Sequence, residues 1–252
     1  MLFSLSKKTI LITGASSGIG RKCAVLCSQM GARVMAFGRD EARLDDTLAQ
    51  MDHPEIHYSA SVDMVDGQKL EAAIKVAVAR TGKIHGMINC AGISTTLPLR
   101  MSSPAKMDEF YKTNVSAAVN LARLVAKPAH ISQDGGSLIF ITSVMATVGE
   151  SGKSIYAMTK GALLAASKSL AIELAQKNIR VNCVSPGVVE TPMSASSPYS
   201  KSPETLDRIR SLHPLGLGKP EDVAAACVFL LSDASRWVTG INLMVDGGYT
   251  AR

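Results

Sequence analysis

Short apolar runs of four to six residues alternate with amphipathic segments along the whole chain. The runs at 9–13, 33–37, 56–60, 86–90, 137–142, 180–184 and 241–245 predict strands, and helical periodicity covers 19–30, 41–51, 68–80, 114–131, 154–176 and 220–231. The strands are apolar on both faces, and the crossovers between them are long enough for helices. That combination predicts an α/β fold, a doubly wound parallel sheet of seven strands with helices on both faces, in one domain spanning 1–252. One stretch breaks the pattern. Residues 191–203, Thr-Pro-Met-Ser-Ala-Ser-Ser-Pro-Tyr-Ser-Lys-Ser-Pro, predict a mobile surface loop. Together with the residues up to 213 they make a candidate substrate lid.

The first strand runs directly into Thr13-Gly14-Ala15-Ser16-Ser17-Gly18-Ile19-Gly20, and a helix starts at once. Glycines here let the main chain approach a pyrophosphate without a Cβ in the way. The helix then offers unpaired N–H groups and a partial positive charge to the phosphates. A tight turn without a ligand is the bland alternative. The position at the end of the first strand favours dinucleotide binding.

Composition narrows the class further. The chain is 46% hydrophobic and 19% charged, which describes a globular chain with a sizeable core rather than a disordered one. Its net charge of +6 is scattered, with no basic run or aromatic interleaving that would suit a nucleic acid. Cys23, Cys27, Cys90, Cys183 and Cys227 form no CxxC pair or disulfide framework and read as apolar core residues. No secretory leader and no apolar run of ~20 residues is visible. A reducing, cytoplasmic location and no membrane partner are therefore expected. Pro54 separates His53 from His57 and breaks any helix that could align them on a metal. The sequon Asn114-Val115-Ser116 has no consequence in a chain that is not secreted.

Tyr156 and Lys160 are four residues apart on a predicted helix and so share a face, where an ammonium would favour the phenolate and lower the phenol pKa. Ser143 follows the fifth strand at its carboxyl edge, placed to donate to a developing alkoxide. Asn114 opens the helix predicted at 114–131, where an N-cap role is one possibility.

The ordered set of Thr13-Gly14-x-x-x-Gly18-x-Gly20, Asn89-Cys90-Ala91-Gly92, Asn114, Ser143, Tyr156-x-x-x-Lys160 and Pro186-Gly187 resembles the short-chain dehydrogenase/reductase family over essentially the whole chain. The resemblance implies a Rossmann-like fold in which Tyr156 transfers a proton to or from the substrate oxygen. It implies that Lys160 holds the nicotinamide ribose and tunes Tyr156, and that Asn114 positions a water for proton supply. Cofactor contacts are implied for Gly14, Ser16, Ser17, Gly18, Ile19, Gly20, Arg39, Met64, Ala91, Gly92, Tyr156, Lys160, Pro186 and Gly187. Asp63 would accept from the adenine amino group or simply form a turn, and Val189 and Thr191 would hold the carboxamide. Asn89 belongs to the same set, although bracing the sheet suits it better.

NAD-specific relatives place an acidic residue where this chain has Gly38, and Arg39 beside it can pair with a 2′-phosphate, so NADP is expected over NAD. Asp40 is better placed to cap the next helix. Ser17 stands where some NADP-binding relatives have a basic residue. The expected substrate is a small ketone or secondary alcohol, of the kind used by 3-oxoacyl-carrier-protein reductases or by sugar and alcohol dehydrogenases. Ile172, where many carrier-protein reductases have a basic residue, counts against a carrier-bound substrate. A homotetramer packed through the two long helices is implied as well. The alternatives are a dinucleotide-binding sensor without turnover, and an NAD-dependent alcohol dehydrogenase on the same scaffold.

Overall fold

A computed structural model describes residues 2–251. Met1 and Arg252, which the single-domain expectation includes, lie outside the described residues. The elements run β1 (Thr9–Thr13), α1 (Gly18–Gln29), β2 (Arg33–Gly38), α2 (Glu41–Leu48), β3 (Tyr58–Ser61), α3 (Gly67–Thr81) and β4 (Gly86–Asn89). Next come α4 (Pro104–Tyr111), α5 (Ala117–Val125), β5 (Gly136–Ile141), α6 (Ser154–Leu174) and β6 (Ile179–Pro186). The chain closes with α7 (Pro192–Ala195), α8 (Pro203–Ser211), α9 (Pro220–Leu231) and β7 (Asn242–Val245).

All seven strands pair in parallel, in the order β3-β2-β1-β4-β5-β6-β7. Alternation along each strand splits the core in two, because successive side chains leave opposite faces. Leu11, Met35, Phe37, Met87, Leu138 and Phe140 pack against Leu70 and Ile74 of α3, Leu121 of α5 and Leu163 of α6. Ile10, Ile12, Val34, Ala36, Ile88 and Ile139 pack on the other face against Cys23 and Cys27 of α1, Leu44 of α2 and Val223 and Leu230 of α9. Each such side chain, removed from water, contributes about 1.5–3 kcal/mol. The predicted doubly wound single domain is what the chain forms.

Three expectations need correction. The third strand starts at Tyr58 rather than 56, because Pro54–Ile56 closes a 3₁₀ turn. The helix predicted at 114–131 begins earlier: α4 starts at Pro104 behind the cap Ser103, whose side chain accepts from the Lys106 N–H. It passes through a π-turn (Lys112–Ser116) into α5. Asn114 sits in that π-turn, so it is not an N-cap. The third correction concerns 191–203, which is helical rather than irregular. Thr191 and Ser194 cap α7 reciprocally, a 3₁₀ turn follows at Pro198–Lys201, and Ser202 caps α8. Serine and threonine hydroxyls satisfy the backbone that the missing apolar side chains could not have fixed.

Candidate active site

A cavity of about 690 Å³ opens at the carboxyl ends of the strands, where the sheet order reverses between β1 and β4. Gly14, Gly38, Cys90, Ile141 and Pro186, each at or just past the end of its strand, line it. Open α/β sheets bind ligands at such a switch point. Every predicted site residue lines the cavity except Asn89 and Asn114. Asn89 is buried, and its Oδ1 accepts from the Thr13 hydroxyl at 3.0 Å. It braces β1 against β4, the role that suited it better in the sequence.

The phosphate turn is built by close backbone approach. Gly14 has φ of +65°, and a Cβ there would lie 3.0 Å from the Ala91 nitrogen. At Gly20 a Cβ would lie 2.3 Å from the Gly14 carbonyl oxygen, closer than van der Waals contact permits. Ser17 precedes α1 without a side-chain cap, and the helix has no acidic residue in its first turn. Its leading N–H groups and the Ser17 hydroxyl are left for an anion. Arg21 of α1 reaches the Ser16 and Arg43 carbonyls at 2.8 and 3.2 Å, tying the turn to α2.

At the adenosine end, a side chain at Gly38 would be tight: Ser16 and Leu44 side-chain atoms lie 3.3 Å from where its Cβ would stand. Arg39 is exposed and lines the cavity. Asp40 caps α2, accepting from the Arg43 N–H at 3.1 Å, and pairs with the Arg43 side chain at 3.3 Å. Arg43, a second guanidinium on this rim, was missed in the sequence, although its position one turn into the helix capped by Asp40 was a usable signal. Asp63 lines the cavity while its Oδ1 accepts from the Val65 N–H at 3.0 Å, so the turn-forming role is the one realised in the fold.

At the other end, α6 delivers Tyr156 and Lys160 to the cavity, facing Ser143 at the end of β5. The Ser143 oxygen accepts from the Met145 N–H at 3.2 Å, and Tyr156 lines the same cavity wall. Lys160 is buried, and its ammonium donates to the Ile141 carbonyl at 2.8 Å. Two of its three N–H donors remain for a ligand. Burial lowers its pKa to about 8.

Tyr156 departs from expectation. Burial raises its phenol to about 12, and the nearby Ser143 hydroxyl opposes this only in part. The Lys160 ammonium lies over the ring face, 5.6 Å from its centroid, and is committed to Ile141. The expected lowering by Lys160 is therefore not what this arrangement gives. The phenol keeps its proton, because taking a phenolate out of water costs more than the neighbouring dipoles return.

The π-turn turns Asn114 toward the loop after β4. Its Oδ1 accepts from the Ile93 N–H at 2.8 Å, and its Nδ2 donates to the Ile93 carbonyl at 2.9 Å and the Thr159 hydroxyl at 3.1 Å. Thr159 in turn donates to the Tyr156 carbonyl at 2.8 Å. Asn114 thus locks the cavity wall to the catalytic helix. Sequence reasoning missed Thr159, although its place within Tyr156-x-x-x-Lys160 could have flagged it. It also missed His213, buried at the end of α8, whose Nε2 accepts from the Val188 N–H at 3.1 Å while Nδ1 bonds to the Ile209 carbonyl at 2.8 Å. That ring ties the helical flap to the Pro186-Gly187 segment. Cys90 was expected in the core but is half-buried and lines the cavity. A hydrogen bond with Cys23 and burial hold its thiol well above the ordinary value, which makes it a packing group rather than a nucleophile. Cys183 and Cys227 are in the core as expected.

No helix among the described residues is long and apolar enough to cross a membrane. No group of His, Cys, Asp or Glu among them is arranged to hold a metal.

Comparison with known proteins gives the same picture. A family model described as Enoyl-(Acyl carrier protein) reductase matches residues 14–250. A 3-oxoacyl-(acyl-carrier-protein) reductase of Thermotoga maritima is 35% identical over 246 residues, 97% of this chain and 98% of the relative. An L-rhamnose 1-dehydrogenase (NAD(P)(+)) of Azotobacter vinelandii is 36% identical over 256 residues, covering 97% of each. Among solved structures, a 7α-hydroxysteroid dehydrogenase complexed with NADH and 7-oxo glycochenodeoxycholic acid superposes with a TM-score of 0.92 at 30% identity, over 98% of this chain and 96% of that one. The phosphate turn, the Ser143–Tyr156–Lys160 cluster and these likenesses over nearly the whole length identify the chain as a member of the short-chain dehydrogenase/reductase family, an NAD(P)-binding oxidoreductase acting on CH–OH and C=O groups.

Proposed function

We propose that this chain is an NADPH-dependent ketoreductase. The observation that carries the reading is the gathering of Ser143, Tyr156 and Lys160 on one cavity wall, where burial pushes the Tyr156 phenol up to about 12. A protonated acid beside a hydroxyl donor suits a carbonyl about to become an alcohol.

The phosphate turn, Gly92 and the two spare donors of Lys160 would hold the dinucleotide, with Met64 and Asp63 beside the adenine and Val189 and Thr191 at the carboxamide. When bound, it supplies the hydride. The Met145 N–H occupies the Ser143 oxygen and leaves the Ser143 hydrogen to polarise the substrate carbonyl. Tyr156 gives its proton to the developing alkoxide. Lys160 keeps a positive charge beside the phenol while the proton leaves, and Asn114 acts as a positioning residue through Ile93 and Thr159. The segment from 191 to 213 acts as the substrate lid, hinged where Thr191 passes over Gly18.

NADPH is favoured because Gly38 places no carboxylate at the adenosine end, and because Arg39 and Arg43 line the rim there. Arg39→Ala is expected to lower the ratio of kcat/KM with NADPH to that with NADH by about 10-fold or more, the loss of one charge-assisted contact. Steady-state kinetics with both cofactors checks this, and an unchanged ratio, with NADH preferred, refutes the assignment.

The pH profile follows from the two ionisations. The Lys160 ammonium is present below about pH 8 and lost above it, whereas Tyr156, near 12, stays protonated throughout. Reductive kcat is therefore expected to hold from pH 6 to about 8 and to fall above it. A rate that stays flat to pH 10 contradicts a role for the Lys160 charge.

A homotetramer in the cytoplasm completes the proposal. Met158, Ala165 and Ile172 form an exposed stripe at seven-residue spacing along α6, suited to packing against a second copy. Ile172→Glu is expected to shift the mass measured by light scattering downward.

A further inference from the structure

Lys153 is not needed for hydride or proton transfer, yet it is placed at the reaction site. It immediately precedes α6, lines the cavity and is only 8% exposed. Among the described residues its ammonium has neither a hydrogen-bond nor an ion-pair partner. Its stem is packed while the ammonium stays open to the cavity, so it stands as an uncompensated cation on the cavity wall. Burial accordingly pulls its pKa down, and Glu150 opposes that more weakly. Glu150 is exposed on the same rim and makes no ion pair with it.

The surroundings fix where a counter-charge would sit. Tyr156 is three residues further along, in the first turn of α6, and lines the same cavity. The Leu97 N–H donates to the Gly152 carbonyl at 2.7 Å, so the loop after β4 is docked against the approach to the helix. Met145 and Tyr199 supply neighbouring walls, and the Tyr199 carbonyl accepts from the Thr205 hydroxyl of α8 at 2.7 Å. The N-terminus of the 21-residue helix α6 adds its partial positive charge at the same place.

We propose that Lys153 binds a carboxylate on the substrate, a few bonds from the reacting carbonyl, so that the enzyme acts on small oxo acids and the matching hydroxy acids. This rests on the ketoreductase reading above. One ammonium beside the Glu150 carboxylate suits a singly charged anion better than a phosphate dianion. Neutral ketones and acyl chains on a carrier would leave the ammonium without a partner.

The test uses the intact protein with NADPH, as wild type, Lys153→Met and Lys153→Arg. The substrates are acetoacetate, 4-oxopentanoate, their methyl esters and dihydroxyacetone phosphate. The acids are expected to exceed their esters at least about 10-fold in kcat/KM. Lys153→Met is expected to cost the acids about 10- to 100-fold, mostly through KM, and the esters far less, with Lys153→Arg recovering part of the loss. Equal losses on acids and esters would show a purely structural role, and a preference for the phosphate would overturn the carboxylate assignment. Calorimetric titration of the acids into NADP-loaded protein separates the two readings. Acid binding weakened by Lys153→Met but without turnover overturns the reductase reading alone, whereas no acid binding overturns this proposal.

Discussion

Tyr156→Phe is expected to lower ketone reduction by about 10²- to 10⁴-fold, the range that a positioned general acid supplies. NADPH affinity is expected to change less than about threefold, because the ring stays and only the hydroxyl goes. The fold should hold too. Phe keeps the ring and removes the polar atom together with its desolvation cost. Kinetics with a ketone substrate, alongside fluorescence titration of NADPH, separates the effects. Intact turnover in the variant would mean that the proton comes from elsewhere.

Gly20→Ala is expected to act on the cofactor rather than on the proton. Its Cβ would stand 2.3 Å from the Gly14 carbonyl oxygen and 3.1 Å from the Ala15 nitrogen, both backbone atoms of the phosphate turn. Backbone cannot rotate away as a long side chain can, so the turn must open. Overpacking of this kind costs about 1–3 kcal/mol, or roughly 2–12 °C in Tm for a chain this size. An opened turn also loses one or two N–H contacts to phosphate, each of about 1.5–3 kcal/mol, so Kd for NADPH should rise at least about 10-fold. Thermal melts and titration of the same preparation check both. Unchanged affinity would place the pyrophosphate away from this turn.

Both predictions fall on residues that the sequence itself singled out, for a physical reason. Strand–turn–helix geometry forces glycines into a fixed spacing, and a shared helical face needs a spacing of four. Buried strands were equally plain, since two covered faces leave continuous apolar runs. The segments that misled were polar ones whose order comes from caps. Ser103-Pro104, Thr191-Pro192 and Ser202-Pro203 each place a capping hydroxyl before a proline in the first helical position, and each opens a helix. Read as caps rather than as loop composition, they would have revealed α4 and the flap.

Other features left no local trace. The π-turn that swings Asn114 inward adds one residue to a helix without altering its composition. The protonated state of Tyr156 depends on how much water the assembled walls exclude, and those walls come from β4, β5 and the flap. Nothing in the sequence singles out Lys153; only the assembled fold brings it to the cavity wall.

The central claim is that a hydride and the Tyr156 proton together turn a ketone into an alcohol in this cavity. NADPH carrying deuterium at the nicotinamide C4, in each of its two stereoisomers, tests it against a panel of charged and neutral ketones. The account predicts NADPH consumption with one isomer delivering its label to the carbinol carbon of the product. Saturable NADPH binding with no consumption and no labelled alcohol across the panel would contradict it, leaving a protein that senses the dinucleotide without using it.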